Sequence, residues 1–256
     1  MSAPALAEIK AANVRVNDRG YALVSMSRPF GPYLAWVAIR LGATPRLVNY
    51  LSLGLVFAIL GLVGFGDATG RVVGTALVFL WQIVDVTDGT MARALKIRDN
   101  FGGFVDYATG IVLAAFLPLS LGVGLFRAPE RLLGTLGAPL GLAPSEAVVL
   151  VLGAGAVVSA MSLYIRLLNR VLVIRFGEGL AGSHAAKARP EGVVNVAVKN
   201  LETIGGLQAV LFFAGAALGI LSAVLVLYAL FYAGLLLAFA AATHRDYSHR
   251  TKYLGE

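Results

Sequence analysis

The chain has 256 residues, of which 58% are hydrophobic and 14% charged, and its mean hydropathy is +0.80. Soluble domains carry about 25% charged residues, so this composition excludes a water-soluble globular monomer. The net charge of +7 is read as basic inner loops facing anionic lipid, with no nucleic-acid partner, and the absence of cysteine excludes disulfides and Cys-ligated metals.

Residues 1–27 lack the apolar core of a signal peptide and read as a cytoplasmic N-terminal segment. Residues 28–40 (RPFGPYLAWVAIR) are apolar between two arginines and too short to span, which suits an interfacial helix. Six spans follow, at 47–66, 72–95, 101–125, 146–169, 202–219 and 222–243. Each is near the ~20 apolar residues that cross a bilayer core. The expectation is an all-α integral membrane protein: one six-helix membrane domain over 28–243 and a cytoplasmic tail at 244–256.

Between the spans, 126–145 reads as an outer loop broken by Pro and Gly, and 170–200 as a long basic inner loop. Gly153, Gly155 and Ser159 give the fourth span a flat face for close helix packing. Glu202 opens the fifth span, where the helix dipole favours an acid. With the N-terminus inside, only Arg71, Arg127 and Arg131 of the 21 Lys and Arg fall outside, so both termini are expected in the cytoplasm.

The chemistry concentrates in Asp85-Val-Thr-Asp88-Gly89-Thr-Met-Ala92-Arg93, followed after eight residues by Gly102-Gly-Phe-Val-Asp106. Asp85 and Asp88 are three apart and share a helix face at the inner end of the second span. Asp106 sits about one turn into the third span, so an antiparallel pair brings all three carboxylates to one depth. A carboxylate at membrane depth costs about 2.5–3.5 kcal/mol, so three together call for a cation between them. Oxygen ligands without Cys point to one or two hard divalent ions, Mg²⁺, Mn²⁺ or Ca²⁺. Gly89 and Gly102 leave room beside the acids for phosphates, and Arg93 is one turn past Gly89, placed to pair with one. The bland alternative is an ion-paired plug that stabilises a helix contact.

These residues resemble the signature of the CDP-alcohol phosphotransferases, D-x2-D-G-x2-A-R-x8-G-x3-D-x3-D. The match covers Asp85, Asp88, Gly89, Ala92, Arg93, Gly102 and Asp106 with every spacing kept. The resemblance implies six helices, an N-terminal interfacial helix, a site facing the cytoplasm at the cell (inner) membrane, and commonly a homodimer. It implies transfer of a phosphatidyl-type group from a CDP-lipid, usually CDP-diacylglycerol, to an acceptor with release of CMP, in phospholipid biosynthesis. By carry-over, Asp85, Asp88 and Asp106 are the catalytic, metal-holding residues, with Mg²⁺ or Mn²⁺ as the cofactor. Gly89, Ala92, Arg93 and Gly102 contact the CDP moiety.

Two positions depart from that pattern. The last signature aspartate, assigned as general base, falls at Gly110, which has no side chain to act as one. Tyr107, Thr109, Asp99 or a histidine from another segment replaces it, or the acceptor is already ionised, or the chain binds CDP-lipid without turnover. At the first span, where family members often read T-P-N-x-x-T around the nucleotide pocket, the chain has Thr44-Pro45-Arg46-Leu-Val-Asn49. Arg46 and Asn49 are therefore expected to make different contacts with the nucleotide.

Arg166, Arg170, Lys187 and Arg189 are candidate ligands for the acceptor, although inside-positive charge alone also accounts for them. His184, His244 and His249 lack a metal-ligand spacing. No inverted repeat is evident, which argues against a transporter using the acids as an ion site.

Overall fold

The computed structural model describes residues 4–13, 20–128, 136–176 and 192–253, with the side chains of 138, 168–176, 239 and 242–253 outside the description. Every regular element among the described residues is helical. Three short helices precede the membrane bundle: α1 (Leu6–Ala12), α2 (Ala22–Ser27) and α3 (Gly31–Arg40). The expected interfacial helix thus begins at Gly31, because 28–30 form a turn. Its Tyr33 and Val37 are exposed while Gly31, Pro32 and Ala35 are buried, an apolar outer face suited to lipid.

Helix α4 (Pro45–Phe65) starts where the sequence offers a cap. The Thr44 hydroxyl accepts from the Leu47 amide at 3.2 Å, and Pro45 takes a position whose N–H would be unpaired anyway. Asp67 caps α5 (Ala68–Ala94) by accepting from the Gly70 amide at 2.8 Å, and Asp99 caps α6 (Asn100–Phe126) by accepting from the Phe101 amide at 3.1 Å. Beyond the short α7 (Ala138–Leu140), α8 (Pro144–Phe176) and α11 (Leu221–Tyr253) extend past the apolar windows expected of the fourth and sixth spans.

Among the described residues five helices are long and apolar enough to cross a membrane, or six if one bent pair of helices forms a single span. Helix α9 (Val193–Glu202) meets Ile204–Ala217 at 73°. Thr203 is extended, and Gly206 within Ile204–Gln208 is non-helical, so the chain kinks through this stretch before entering α10 (Ala209–Ala217). Two expectations change here. Glu202 is the last residue of α9 rather than the first of a span, so the helix dipole does not favour it, and Arg166 is the cation near it. The 170–200 stretch is helical at both ends, because apolar residues at helical spacing carry α8 and α9 beyond the membrane-spanning windows; residues 177–191 lie outside the description.

Helix α4 packs on α5 and α6, α6 on α8, α8 on α11, and α10 on α5 and α11. Val56, Ile59, Val63, Leu113, Leu117, Val151, Val158 and Phe212 form much of the core. The small residues of the fourth span do pack within the chain: a Cβ on Gly155 would lie 2.6 Å from the Pro118 carbonyl of α6, whereas one on Gly153 meets nothing within 4 Å. At the far end of the bundle Arg71 is 5% exposed and donates to the carbonyls of Gly66 at 3.2 Å and Gly124 at 3.0 Å. Its charge thus serves helix-end carbonyls, where a cation is favoured.

Candidate functional site

The site is assembled at the end of the bundle where α4 and α6 begin and α5 ends. Helix α5 finishes in a turn in which Lys96 adopts φ 55° and the Ile97 amide reaches back to the Ala92 carbonyl at 2.9 Å, turning the chain toward α6. Asp99 then serves two helices at once. It caps α6, and its Oδ2 accepts from Arg46 Nε of α4 at 2.5 Å. The Asn49 amide nitrogen adds a second latch by donating to the Gly102 carbonyl at 3.2 Å. That carbonyl can only accept, so the Asn49 amide orientation is fixed.

The N-terminal segment closes the opposite side of α5. Arg93 Nε donates to the Ala12 carbonyl at 2.7 Å, the Thr90 hydroxyl donates to Asn13 Oδ1 at 2.9 Å, and Asn13 Nδ2 donates to the Arg28 carbonyl at 3.0 Å. A Cβ on Gly31 would lie 2.7 Å from Val86 Cγ1, so the glycine lets α3 approach α5 between the two aspartates. Asn200 of α9 joins this side too, accepting from the Ala22 amide at 2.8 Å and donating to the Gly20 carbonyl at 2.5 Å.

Two adjoining cavities result. One, of about 120 Å³, lies toward the N-terminal segment and is lined by Asp85, Asp88, Gly89, Arg93 and Asp106 together with Asn13, Val24, Arg28, Gln82 and Val86. The other, of about 210 Å³, lies toward α4 and is lined by Arg46, Asn49, Ala92, Asp99 and Gly102, again with Asp88, Gly89, Arg93 and Asp106. The three expected carboxylates therefore meet in one cavity, and Asp88 is 5% exposed. Gln82 donates to Asp85 Oδ2 at 3.3 Å, and the Gly89 amide donates to Asp88 Oδ1. No group of three or more Asp, Glu or His side chains is set to hold a metal ion among the described residues. The donor chemistry still suits a hard divalent ion: all oxygen, from three acids around one polar space.

Gly110 is half-buried on α6, one turn beyond Asp106, and a Cβ there meets nothing within 4 Å. Among the suggested substitutes for the missing base, the Thr109 hydroxyl donates to the Val105 carbonyl at 2.7 Å and Tyr107 is exposed. Asp99 does line a cavity, but the hydrogen bond from Arg46 holds its carboxyl below the usual carboxylate range, which makes it a weak base.

Of the acceptor candidates, Arg166 lines neither cavity and instead lies near Glu202 and Tyr232. Arg170 is on α8 with its side chain outside the description, as are those of His244 and His249 on α11, while Lys187, Arg189 and His184 lie outside the described residues altogether. The sequence reading missed Asn13, Arg28 and Gln82. Arg28 was legible only as one more inside charge, and the other two stand outside the signature. No protein-family model matches the chain, and no curated protein matches it.

Proposed function

We propose that the chain is a CDP-alcohol phosphotransferase, which moves a phosphatidyl-type group from CDP-diacylglycerol or a related CDP-lipid to an acceptor and releases CMP at the cytoplasmic face of the cell membrane. One observation carries this reading. All seven matched signature positions, drawn from two helices and separated by a turn, fall on the walls of the two adjoining cavities.

The chain's own groups divide the work. Asn49, Ala92 and Gly102 take the nucleotide side, and Gly89 and Gly102 let a diphosphate approach the backbone. Arg93, oriented by Ala12 and by its 3.3 Å hydrogen bond to Thr90, pairs with a phosphate oxygen. Asp85, Asp88 and Asp106 would hold a divalent ion, which when bound neutralises charge developing on the diphosphate and on the departing CMP. In the transfer, an acceptor oxygen bonds to the β-phosphorus, the phosphoanhydride P–O bond breaks, and CMP leaves with the electron pair. An alcohol must also lose a proton. Position 110 offers no base, so an acceptor oxygen that is already ionised meets the fewest obstacles here.

The full-length protein in nanodiscs with CDP-diacylglycerol, Mg²⁺ and a panel of acceptors tests this reading by CMP release. Metal-dependent release that Asp88→Asn abolishes is the expected result. The glycine at 110 favours one second reading, a family member that binds CDP-lipid without turnover. Stabilisation by CDP with no CMP from any acceptor selects it. Neither stabilisation nor release overturns both.

A further inference from the structure

Helix α3 carries more than an apolar outer face. Tyr33, Trp36, Val37 and Arg40 are spaced i, i+3, i+4 and i+7, one stripe along the helix, and a cation lies over each of its two rings. Lys10 of α1 stands 4.5 Å from the Tyr33 ring centroid and donates to the Tyr33 hydroxyl at 2.9 Å, and the Arg40 guanidinium stands 4.0 Å from the Trp36 centroid. Both cations are exposed, and neither is in an ion pair among the described residues. Glu8, the one acid of α1, turns back to accept from the Ala5 amide at 2.9 Å. Phe30, Leu34, Val37 and Leu41 add exposed apolar surface around the stripe.

The stripe is also joined to the site. Ile9, next to Lys10, is fully buried in a cluster with Ala35, Val48 and Met91, which seats α1 against α3 and α5. Two residues after Lys10 the Ala12 carbonyl accepts from Arg93, and Asn13 is hydrogen-bonded to Thr90. A helix of seven residues has little stability of its own, so its contacts decide how firmly it is docked. We propose that the Lys10–Tyr33 and Arg40–Trp36 pairs form a binding surface for anionic phospholipid head groups, and that a lipid phosphate held there steadies α1 and, through Ala12, the orientation of Arg93. Charge complementarity names the occupant. Rings with apolar neighbours sit at the head-group level of a membrane, and lipid phosphates supply at that level the negative charge that no carboxylate of the described chain gives these cations. Their rings are two helical turns apart, about 10 Å, so the cations serve neighbouring lipids and not one phosphate. The surface stands on these contacts alone, and its effect on turnover rests on the phosphotransferase reading.

The chain has two tryptophans, so Trp81→Phe leaves Trp36 as the sole reporter. The full-length protein is placed in nanodiscs in which phosphatidylserine replaces a rising share of phosphatidylcholine, and the Trp36 emission is expected to shift and saturate along that titration. Lys10→Gln and Arg40→Gln should each weaken the apparent affinity for phosphatidylserine about 5-fold, and the two together about 25-fold. Lys10→Arg and Arg40→Lys should keep it, because the charge and not the shape carries the contact. Arg127→Gln removes a cation that stands over Phe65 at the other end of the bundle and should leave the response alone. With Mg²⁺, a panel of acceptors and one fixed fraction of CDP-diacylglycerol, CMP release should rise along the same titration.

No Trp36 response in the parent, a response kept in full by the Lys10→Gln/Arg40→Gln double variant, or an equal weakening in Arg127→Gln overturns the surface. So does an equal shift produced by soluble glycerophosphoserine in phosphatidylcholine nanodiscs, since the occupant is then a free anion. A Trp36 response while CMP release stays flat overturns the coupling to Arg93. Absence of CMP release in every lipid mixture counts against the phosphotransferase reading and not the surface, because Trp36 reports the lipid without turnover.

Discussion

At position 110 the open space is informative because a Cβ added there meets nothing within 4 Å. Gly110→Asp is therefore expected to fold like the parent and, by supplying a base, to raise CMP release with neutral alcohols by about 10²- to 10⁴-fold, read by CMP assay with glycerol. The Arg46–Asp99 pair gives a pH signature. The folded-state value of Asp99 lies below its unfolded value, so its contribution to stability is complete above the unfolded value and is lost as pH falls through the folded one. Melting curves of wild type and Asp99→Asn should differ at neutral pH and converge in acid. The residues at this scale divided according to what names them. Asp85, Asp88, Gly89, Arg93 and Asp106 were legible because their spacing is a pattern within one stretch of chain. Arg28 and Asn13 reach the same cavity only through a fold in which α1 and α3 lie against α5, and no local spacing encodes that.

Helices were legible wherever hydropathy decides. The long helices α4, α5, α6, α8 and α11 follow from apolar windows, whereas the Thr44, Asp67 and Asp99 caps that start α4, α5 and α6 came with the structure. The break after Glu202 was not, because Thr203 and Gly206 interrupt hydrogen bonding without lowering the hydropathy of the stretch around them. Also hidden was the approach of α3 to α5, which depends on the missing side chain of Gly31. Gly31→Ala puts a methyl 2.7 Å from Val86 Cγ1, and the overlap is expected to cost about 1–3 kcal/mol and to loosen the N-terminal side of the site. Val86→Ala in the same chain should restore most of the melting temperature. If the double variant is as unstable as Gly31→Ala alone, that contact is not what limits the approach.

Across the whole molecule, the charge bias and the bundle agree on a polarity. The site lies at the end that holds Arg46, Arg93 and Arg98, and Arg71 and Arg127 sit at the other, where both serve helix-end carbonyls. Since the chain has no cysteine, single substitutions report sidedness without background. Arg127→Cys is expected to react with an impermeant maleimide added outside intact cells, and Arg98→Cys only after the membrane is opened. The reverse pattern would place the site outside.

The wall shared by the two cavities also has a kinetic meaning. On the phosphotransferase reading, two spaces that meet along Asp88, Gly89, Arg93 and Asp106 without coinciding leave room for donor and acceptor together. Turnover should then pass through a ternary complex rather than a phosphorylated or lipidated form of the protein. Double-reciprocal plots at several acceptor concentrations should intersect, and labelled CMP should not exchange into the donor until an acceptor is supplied.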